Sequence, residues 1–265
     1  MSSHMHDYWK DRIATDEYTL LYSDCEEDIP PDEAERIVND FHEGMPDNNI
    51  REYFINQPTI FRDYNHLTIA RDPETDSTIG LLGSKWFSSP DITFLYLWTA
   101  ISVHRVRRKG LLNTLFLWQL EKSIAEKGVP AVIVTKTTNP IVFKAIRSFH
   151  SFVPGSRLYP NIDGSGQEAE LVRQAHNVVA LLCPTLEVKY DTGMILKGMS
   201  TLAVNFYPEL PTSGDPVIDE YFRKNLTPDD QVLMLVDIPP AVHRSIHGLL
   251  AHARSSNYKL NGAPV

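Results

Sequence analysis

The stretch that decides the fold is FLYLWTAISVHRVRRKGLLN, residues 94–113. Its first half, residues 94–103, is an apolar run rich in aromatic and β-branched residues, which favours a buried strand. From Leu111 the pattern of apolar residues predicts an amphipathic helix that ends at Lys127. The residues between these two parts are basic and include a glycine. The stretch therefore predicts a central strand, a short turn and a helix, in that order.

The turn between strand and helix concentrates positive charge. It contains Arg105, Arg107, Arg108, Lys109 and Gly110. The first N–H groups of a helix have no intrahelical partner, and the helix dipole favours negative charge at that end. Glycine has no Cβ, so the backbone can approach a phosphate closely. The turn is therefore either a solvated basic surface or an anion site, and the residue types alone leave both interpretations open.

A second strand and helix follow the first pair. Residues 131–135 (AVIVT) form a short continuous apolar run, which is typical of a buried parallel strand. Asn139 and Pro140 then have the residue types preferred at the N-cap and first position of a helix, which we expect to extend to about residue 149. The chain thus alternates strand and helix here, as in α/β proteins.

The two stretches together resemble the GNAT superfamily of N-acetyltransferases. Arg107 and Gly110 match the Arg/Gln-x-x-Gly-x-Gly/Ala segment of that family, and Leu112 stands where the family usually has Gly or Ala. Asn139 and Phe143 match the next motif of the family, a strand followed by an aromatic-ended helix. The resemblance implies an α/β fold with a GNAT-like mixed central sheet flanked by helices.

The resemblance also implies a binding site for acetyl-CoA or another acyl-CoA, in a cleft between the central strand and the strand at residue 131. The turn would hold the pyrophosphate through backbone N–H groups, and the helix after Asn139 would flank the pantetheine arm. Backbone N–H groups at residues 101–103 would polarise the thioester carbonyl. The residues expected to bind the donor are Ile101, Ser102, Val103, Arg107, Arg108, Lys109, Gly110, Leu111, Leu112, Asn139 and Phe143.

The activity implied is that of an acyl-CoA-dependent N-acyltransferase, which transfers acetyl to a primary amine of a small molecule or a protein by direct attack on the thioester. Family members often carry a general-acid Tyr on the second motif helix, but no Tyr occurs between residues 139 and 149. The acid is therefore missing, supplied from elsewhere or not needed, and no side chain is identified as base. Two alternatives stay open: a GNAT-like sensor or scaffold that binds CoA or an acyl carrier without turnover, and an acyltransferase with a longer or carrier-protein-bound donor.

Composition narrows the class of protein. The 265 residues are 42% hydrophobic, which is ordinary for a globular chain. A formal net charge of −9 disfavours general binding of nucleic acid or an anionic membrane. Only Cys25 and Cys183 are present, so we expect a reduced, cytoplasmic protein rather than a disulfide-rich one. His243 and His247 lie one helical turn apart without a third ligand, and no metal site is predicted.

The domain organisation can be predicted from the same patterns. We expect residues 1–17 to be a tag or extension, residues 18–238 one GNAT-like domain, and residues 239–265 a C-terminal helix and tail. An insertion at about residues 151–216 would follow the second motif helix, where it could cover the acceptor pocket or form a homodimer interface. Within the domain, Gly80 and Gly83 indicate a bulge or a close backbone neighbour in a strand, Trp118 is expected in the core, and Gln119 is expected on the outer face of its helix.

Overall fold

The computed structural model of the chain describes residues 8–107, 109–200, 202, 206–207 and 209–258. The described strands are Asp11–Ala14 (β1), Thr19–Ser23 (β2), His66–Arg71 (β3), Thr78–Ser88 (β4), Thr93–Ser102 (β5), Val132–Thr137 (β6), Arg157–Tyr159 (β7), Val188–Lys189 (β8), Met194–Ile195 (β9) and Gln231–Asp237 (β10). The helices are Pro31–Gly44 (α1), Ile50–Ile55 (α2), Ile60–Asp63 (α3), Leu111–Lys127 (α4), Pro140–Phe152 (α5), Ala169–Leu182 (α6), Pro216–Asn225 (α7) and His243–Ser255 (α8).

All the described strands belong to one mixed sheet. Its order is β1-β2-β3-β4-β5-β6-β10-β9-β8, and β7 pairs with part of β10. Only the central pair, β5 and β6, is parallel among the pairs that the described residues form. The crossover between these two strands is α4, as a parallel connection requires. The prediction of a mixed central sheet flanked by helices is confirmed.

The strand–turn–helix stretch folds as its sequence predicts. β5 ends at Ser102, a 3₁₀ turn covers His104–Val106, and α4 begins at Leu111 and ends at Lys127. Trp118 is buried, as expected. Gln119 was expected on the outer face, and this prediction is wrong: its amide donates to the Leu82 carbonyl at 2.7 Å in a buried position. The reason is that α4 packs on β3 and β4 and also on α8, which leaves it a narrower solvent face than the pattern indicates.

A bulge interrupts the pairing of β4 with β5. Gly83 pairs with Thr99 and Ser84 with Leu97, so Trp98 is an extra residue on β5. The ring of Tyr64 lies flat against Gly83, where a Cβ would be 2.3 Å from two ring carbons. The Tyr64 hydroxyl donates to the Thr99 hydroxyl at 2.7 Å. The prediction of a bulge near Gly83 is confirmed, and the close neighbour of this glycine is a side chain rather than backbone.

The first and the last described elements are joined to the sheet and to α4. β1 lies inside the segment expected to be an extension, yet it pairs along its whole length with β2, so the domain begins before Tyr18. At the other end α8 packs on α4, and the Tyr258 hydroxyl donates to the Glu121 carboxylate. Residues 1–7 and 259–265, which include part of the predicted extension and tail, lie outside the described residues.

The predicted insertion extends the sheet and covers one of its faces. It contributes β7, α6, β8 and β9. Only Met194–Ile195 is strand in the described part of the region 194–206. α6 packs on one face of β6 and β10 over Val134 and Leu235, while α5 packs near these strands on the side of the larger core. No helix in the described part of the chain is long and apolar enough to cross a bilayer.

Candidate active site

The central parallel pair opens into a cleft. β5 and β6 are paired only from Phe94 with Val132 to Leu97 with Thr135, although β5 continues to Ser102. At the point of separation the Thr135 hydroxyl donates to the Leu97 carbonyl at 3.0 Å. Beyond it the two strands diverge, and their facing edges are left without ladder partners. A backbone edge that faces a cavity can bind a ligand through main-chain hydrogen bonds.

The cleft contains a cavity of about 440 Å³. Its floor is residues 98–101 of β5 and residues 135–138, which are the end of β6 and the loop after it. Its other walls come from Tyr53 and Gln57 near α2, from residues 181–186 at the end of α6, and from a set of described residues later in the predicted insertion: Gly198, Met199, Leu202, Phe206 and Tyr207. The volume lies in the range of small-molecule sites in proteins. The insertion thus forms one wall of the cavity.

The walls are largely apolar and aromatic, with one charge. None of the described lining residues is Asp, Glu or His, and Lys136 is the one charged side chain among them. Burial lowers the pKa of Lys136. Its ammonium lies 5.9 Å from the centre of the Tyr96 ring, on the same face of the sheet as Cys183. Burial raises the pKa of the Cys183 thiol, and the nearby Lys136 partly opposes that rise.

The edge of β5 points two backbone donors at the cleft. The Val103 N–H donates to the Ile79 carbonyl of the neighbouring segment at 3.1 Å. Successive N–H groups of a strand point to opposite edges, so the Ile101 N–H also points to β4, whereas those of Ala100 and Ser102 point to the cleft. We expected the N–H groups of Ile101, Ser102 and Val103 to face the cleft. Because N–H directions alternate along β5, only that of Ser102 among these does so, and the N–H of Ala100 faces the cleft as well. Ile101 lines the cavity with its side chain, and Val103 is buried.

The basic turn presents the N-terminus of α4. Gly110 is left-handed (φ 76°), and a Cβ there would meet nothing within 4 Å, so its surroundings are open. The first intrahelical bond is from the Thr114 N–H to the Gly110 carbonyl, and the N–H groups of residues 110–113 have no partner among the described residues. The first turn carries no acidic residue. Leu111 and Leu112 pack their side chains into the core, so only their backbone is available here.

The cations of this turn differ in their surroundings. Arg105 pairs with Asp72 at 2.5 Å, which lowers the pKa of that carboxyl to about 2 together with two backbone N–H donors. Arg107 is half-buried, its guanidinium 3.3 Å from the Met45 sulfur, and no carboxylate of the described chain pairs with it. Burial lowers the pKa of Arg107. Lys109 is exposed, and Arg108 lies outside the described residues.

Asn139 combines two roles at the mouth of the cleft. Its side-chain oxygen accepts from the Ile141 N–H at 2.9 Å, which caps α5 as predicted. Its side-chain amide donates to the Tyr207 hydroxyl at 2.9 Å. Burial raises the pKa of Tyr207, while the Asn139 bond and the nearby Arg107 lower it. Tyr207 lines the cavity, so a phenol does stand beside the Asn139 helix, although it comes from the insertion.

Sequence reasoning missed Tyr207 and misplaced Phe143. Tyr207 lies 68 residues from Asn139 in the chain, and the only signal for it was the expectation that the insertion covers the pocket. Phe143 is fully buried away from the cavity, where its ring packs edge-on against Phe222 of α7. Its neighbour Val142 lines the cavity instead.

No protein-family model matches the chain, and no curated protein matches it in sequence. Among solved structures it is similar to Naa20 from Chaetomium thermophilum in complex with a bisubstrate analogue, at 14% identity over 79% of this chain and 84% of that one, with a TM-score of 0.38. It is similar to the GNAT family N-acetyltransferase YhbS from Escherichia coli in complex with CoA, at 15% identity over 52% and 74% of the two chains, with a TM-score of 0.37.

A third similar structure is the diaminobutyrate acetyltransferase EctA from Paenibacillus lautus with its substrate and coenzyme A, at 16% identity over 52% of this chain and 80% of that one, with a TM-score of 0.37. Similarity at this level assigns no activity, so an activity has to be inferred from the geometry of the cleft. Solved structures similar to the chain thus include GNAT-family acetyltransferases.

Proposed function

We propose that the chain is an acyl-CoA-dependent N-acyltransferase of the GNAT type, which moves an acyl group from CoA to a primary amine by direct attack on the thioester. The observation that carries this proposal is the separation of β5 from β6 over a cavity, together with the open N-terminus of α4 after the turn that follows β5. A long donor with a phosphate end and a thioester end matches these two features.

The phosphate end of the donor would bind at the turn before α4. The N–H groups of residues 110–113 have no partner among the described residues, and they point at the same region as the helix dipole. Gly110 keeps this approach open. Lys109 and Arg107 supply positive charge without a carboxylate that competes for it in the described chain, and Arg108 stays a sequence-based candidate. The pyrophosphate would bind here mainly through backbone donors.

The pantetheine arm would then lie along the free edge of β5 toward the cavity, with Ile101 against it. The N–H of Ser102 would bind the arm, and that of Ala100, which lines the cavity, would donate to the thioester carbonyl. Donors aimed at this oxygen stabilise the negative charge that it gains as the amine attacks. Holding the amine against the thioester in the cavity supplies much of the remaining rate enhancement.

The Tyr207 hydroxyl is the proposed general acid. The amine nitrogen forms a bond to the carbonyl carbon, the C–S bond breaks, and the departing thiolate takes the phenolic proton. The Asn139 amide donates to the Tyr207 oxygen, which holds the ring in place and stabilises the phenolate left behind. No Asp, Glu or His of the described chain lines the cavity, so the proton that the nitrogen loses is passed to water, which also returns one to Tyr207.

Calorimetry with CoA and acetyl-CoA tests the donor site. Gly110→Asp and Gly110→Asn carry side chains of the same shape, both tolerate the left-handed conformation, and they differ by one charge. A carboxylate within about 5 Å of the pyrophosphate costs roughly 1–3 kcal/mol. We therefore expect the Asp variant to bind CoA about 10- to 100-fold more weakly than the Asn variant, with thiol release from acetyl-CoA reduced in parallel at sub-saturating donor.

Equal weakening by both substitutions would mean that backbone shape, and not an anion at this turn, controls binding. No binding of CoA, acetyl-CoA or longer acyl-CoAs to the parent protein would contradict the proposed donor. Binding without thiol release, over a broad set of amines, would favour the non-catalytic alternative.

A further inference from the structure

The charge pattern of the cavity indicates what kind of acceptor it binds. A site for a simple amine, which is an ammonium ion in solution, is expected to offer a carboxylate, yet the described lining residues include no Asp or Glu. They include one cation, Lys136, which stands at the end of β6 where this strand leaves β5. The charge of the described cavity lining is therefore opposite in sign to the charge that would bind a simple ammonium ion.

Lys136 has no anionic partner of its own. No carboxylate of the described chain lies within ion-pair distance of its ammonium, which lies near the Tyr96 ring and interacts electrostatically with Cys183. A cation that is partly removed from water without a counter-ion is costly, and an incoming anion offsets that cost. A structural lysine would normally keep its charge in water or in an ion pair, as Lys85 on β4 does with Asp63 at 3.5 Å.

The phosphates of the donor do not account for Lys136. Thr135 pairs with Leu97 in the parallel register, so Lys136, the next residue, lies at the height of Trp98 along the sheet. The basic turn, at which the phosphates would bind, comes after Val103. Five residues of strand separate Trp98 from Val103, which is roughly 16 Å at the rise of a β-strand. Ala100, whose N–H would bind the thioester carbonyl, is only two residues from Trp98. It is therefore about 7 Å from the height of Lys136 along the strand. An anion at Lys136 is therefore on the acceptor side of the thioester.

The rest of the acceptor side is aromatic. Tyr53, Phe87, Tyr96, Trp98 and Phe206 all contribute to the walls of the cavity. Such walls bind a flat or branched apolar group through buried area and ring stacking. The position of Lys136 within them means that an anionic group and an apolar group of one ligand would be bound side by side.

We propose that the acceptor is an amine that also carries a carboxylate and an aromatic or branched apolar body, and that Lys136 binds the carboxylate. The compound class is that of apolar α- and β-amino acids. The inference rests on the proposed acyl transfer for its assignment of the acceptor side. Lys136 acts as a specificity-determining residue: its ammonium pairs with the carboxylate and thereby directs the amine toward the thioester.

The test compares each acid with its uncharged carboxamide. The probes are L-phenylalanine, L-tryptophan and 3-amino-3-phenylpropionate with their amides, first as ligands in calorimetry without any acyl donor, then as acceptors with acetyl-CoA. The variants are Lys136→Met and the matched control Lys85→Met. Lys85 also lies near an aromatic ring, 5.6 Å from that of Trp98, but it does not line the cavity.

For at least one pair the parent protein should bind the acid about tenfold or more tightly than the amide. Lys136→Met should reduce that preference to less than about twofold, Lys85→Met should leave it unchanged, and Lys136→Arg should retain most of it. The ratio of kcat/KM for acid over amide should follow the same order. Thermal unfolding of each variant verifies that it is folded.

Three results would overturn the proposal: no acid-over-amide preference in the parent for any pair, a preference that survives Lys136→Met, or an equal loss of kcat/KM for acid and amide in that variant, which would make Lys136 a proton-transfer group. Failure of the proposed acyl transfer can be distinguished from failure of the acceptor proposal, because the calorimetric measurements with acids and amides use no acyl donor. A Lys136-dependent preference without binding of any acyl-CoA would refute acyl transfer and leave the amino-carboxylate site standing.

Discussion

A methyl group added at Gly83 should destabilise the protein and disturb the cavity at once. In Gly83→Ala the new Cβ lies 2.3 Å from two carbons of the Tyr64 ring. An ordinary contact is about 3.5 Å or more, so the ring must move by about 1 Å. Tyr64 is 2% exposed and packs edge-on against Trp98 at 5.8 Å, so it has little room to move. Movement would also break its hydrogen bond to Thr99, which lines the cavity.

The expected loss is about 2–4 kcal/mol in the free energy of unfolding, of which overpacking contributes roughly 1–3 and the hydrogen bond about 1. Urea denaturation with an unchanged m-value measures it. Gly80→Ala, on the same strand, is the control: its Cβ meets the ends of the Leu111 and Leu115 side chains, which can shift, so we expect less than half the loss.

A double-mutant cycle identifies the cause. In a Tyr64→Leu background the aromatic ring is gone, and Gly83→Ala should then cost less than about 1 kcal/mol, a non-additivity that contacting residues show. The reasoning fails if Gly83→Ala is within about 0.5 kcal/mol of the parent, or if its cost is the same in both backgrounds.

Two further predictions concern protons. Burial, with a smaller contribution from Lys127, lowers the pKa of His66 to about 4. As the pH falls, the unfolded chain therefore binds this proton before the folded protein does. The free energy of unfolding should be highest above about pH 6.5 and fall by up to about 3 kcal/mol as the pH drops to about 4. His66→Asn, which keeps a hydrogen-bond partner for the Tyr22 hydroxyl (2.8 Å from the His66 ring), should flatten this part of the pH–stability curve, and an unchanged curve would contradict the burial argument. Tyr207→Phe should lower kcat about 100-fold with CoA affinity within twofold, as measured by thiol release and calorimetry. Asn139→Asp should keep the cap of α5, and with it the melting temperature, while turnover falls about tenfold or more; full activity in both variants would remove Tyr207 from the mechanism.

Local pattern was sufficient for much of the fold and for part of the site. The bounds of α4, the cap at Asn139 and the glycine before α4 can all be predicted from residues close together in the chain. Strand and helix periodicity, capping chemistry and the missing Cβ of glycine act over a few residues, so they can be read without knowing the tertiary packing.

The remaining features of the site depend on contacts between residues that are distant in sequence. Tyr207 reaches Asn139 only because the insertion folds over the cleft, and no periodicity encodes that contact. Lys136 has the sequence context of an ordinary strand residue, and its lack of a counter-ion in the described chain depends on which walls surround it. Phe143 was assigned to the donor site by resemblance, but the face of α5 that carries it packs on α7.

The place of β10 has a consequence for synthesis on the ribosome. This strand lies between β6 and β9, yet it is made long after β6: about ninety residues separate Thr137 from Gln231. At 5–20 residues per second, the nascent chain exposes β6 for roughly 5–20 s as an apolar strand whose backbone N–H and C=O groups on one edge have no strand partner. Chains that end before residue 231 never cover that edge, so truncated products of this protein are expected to associate with chaperones or aggregate, even though they contain the whole basic turn before α4.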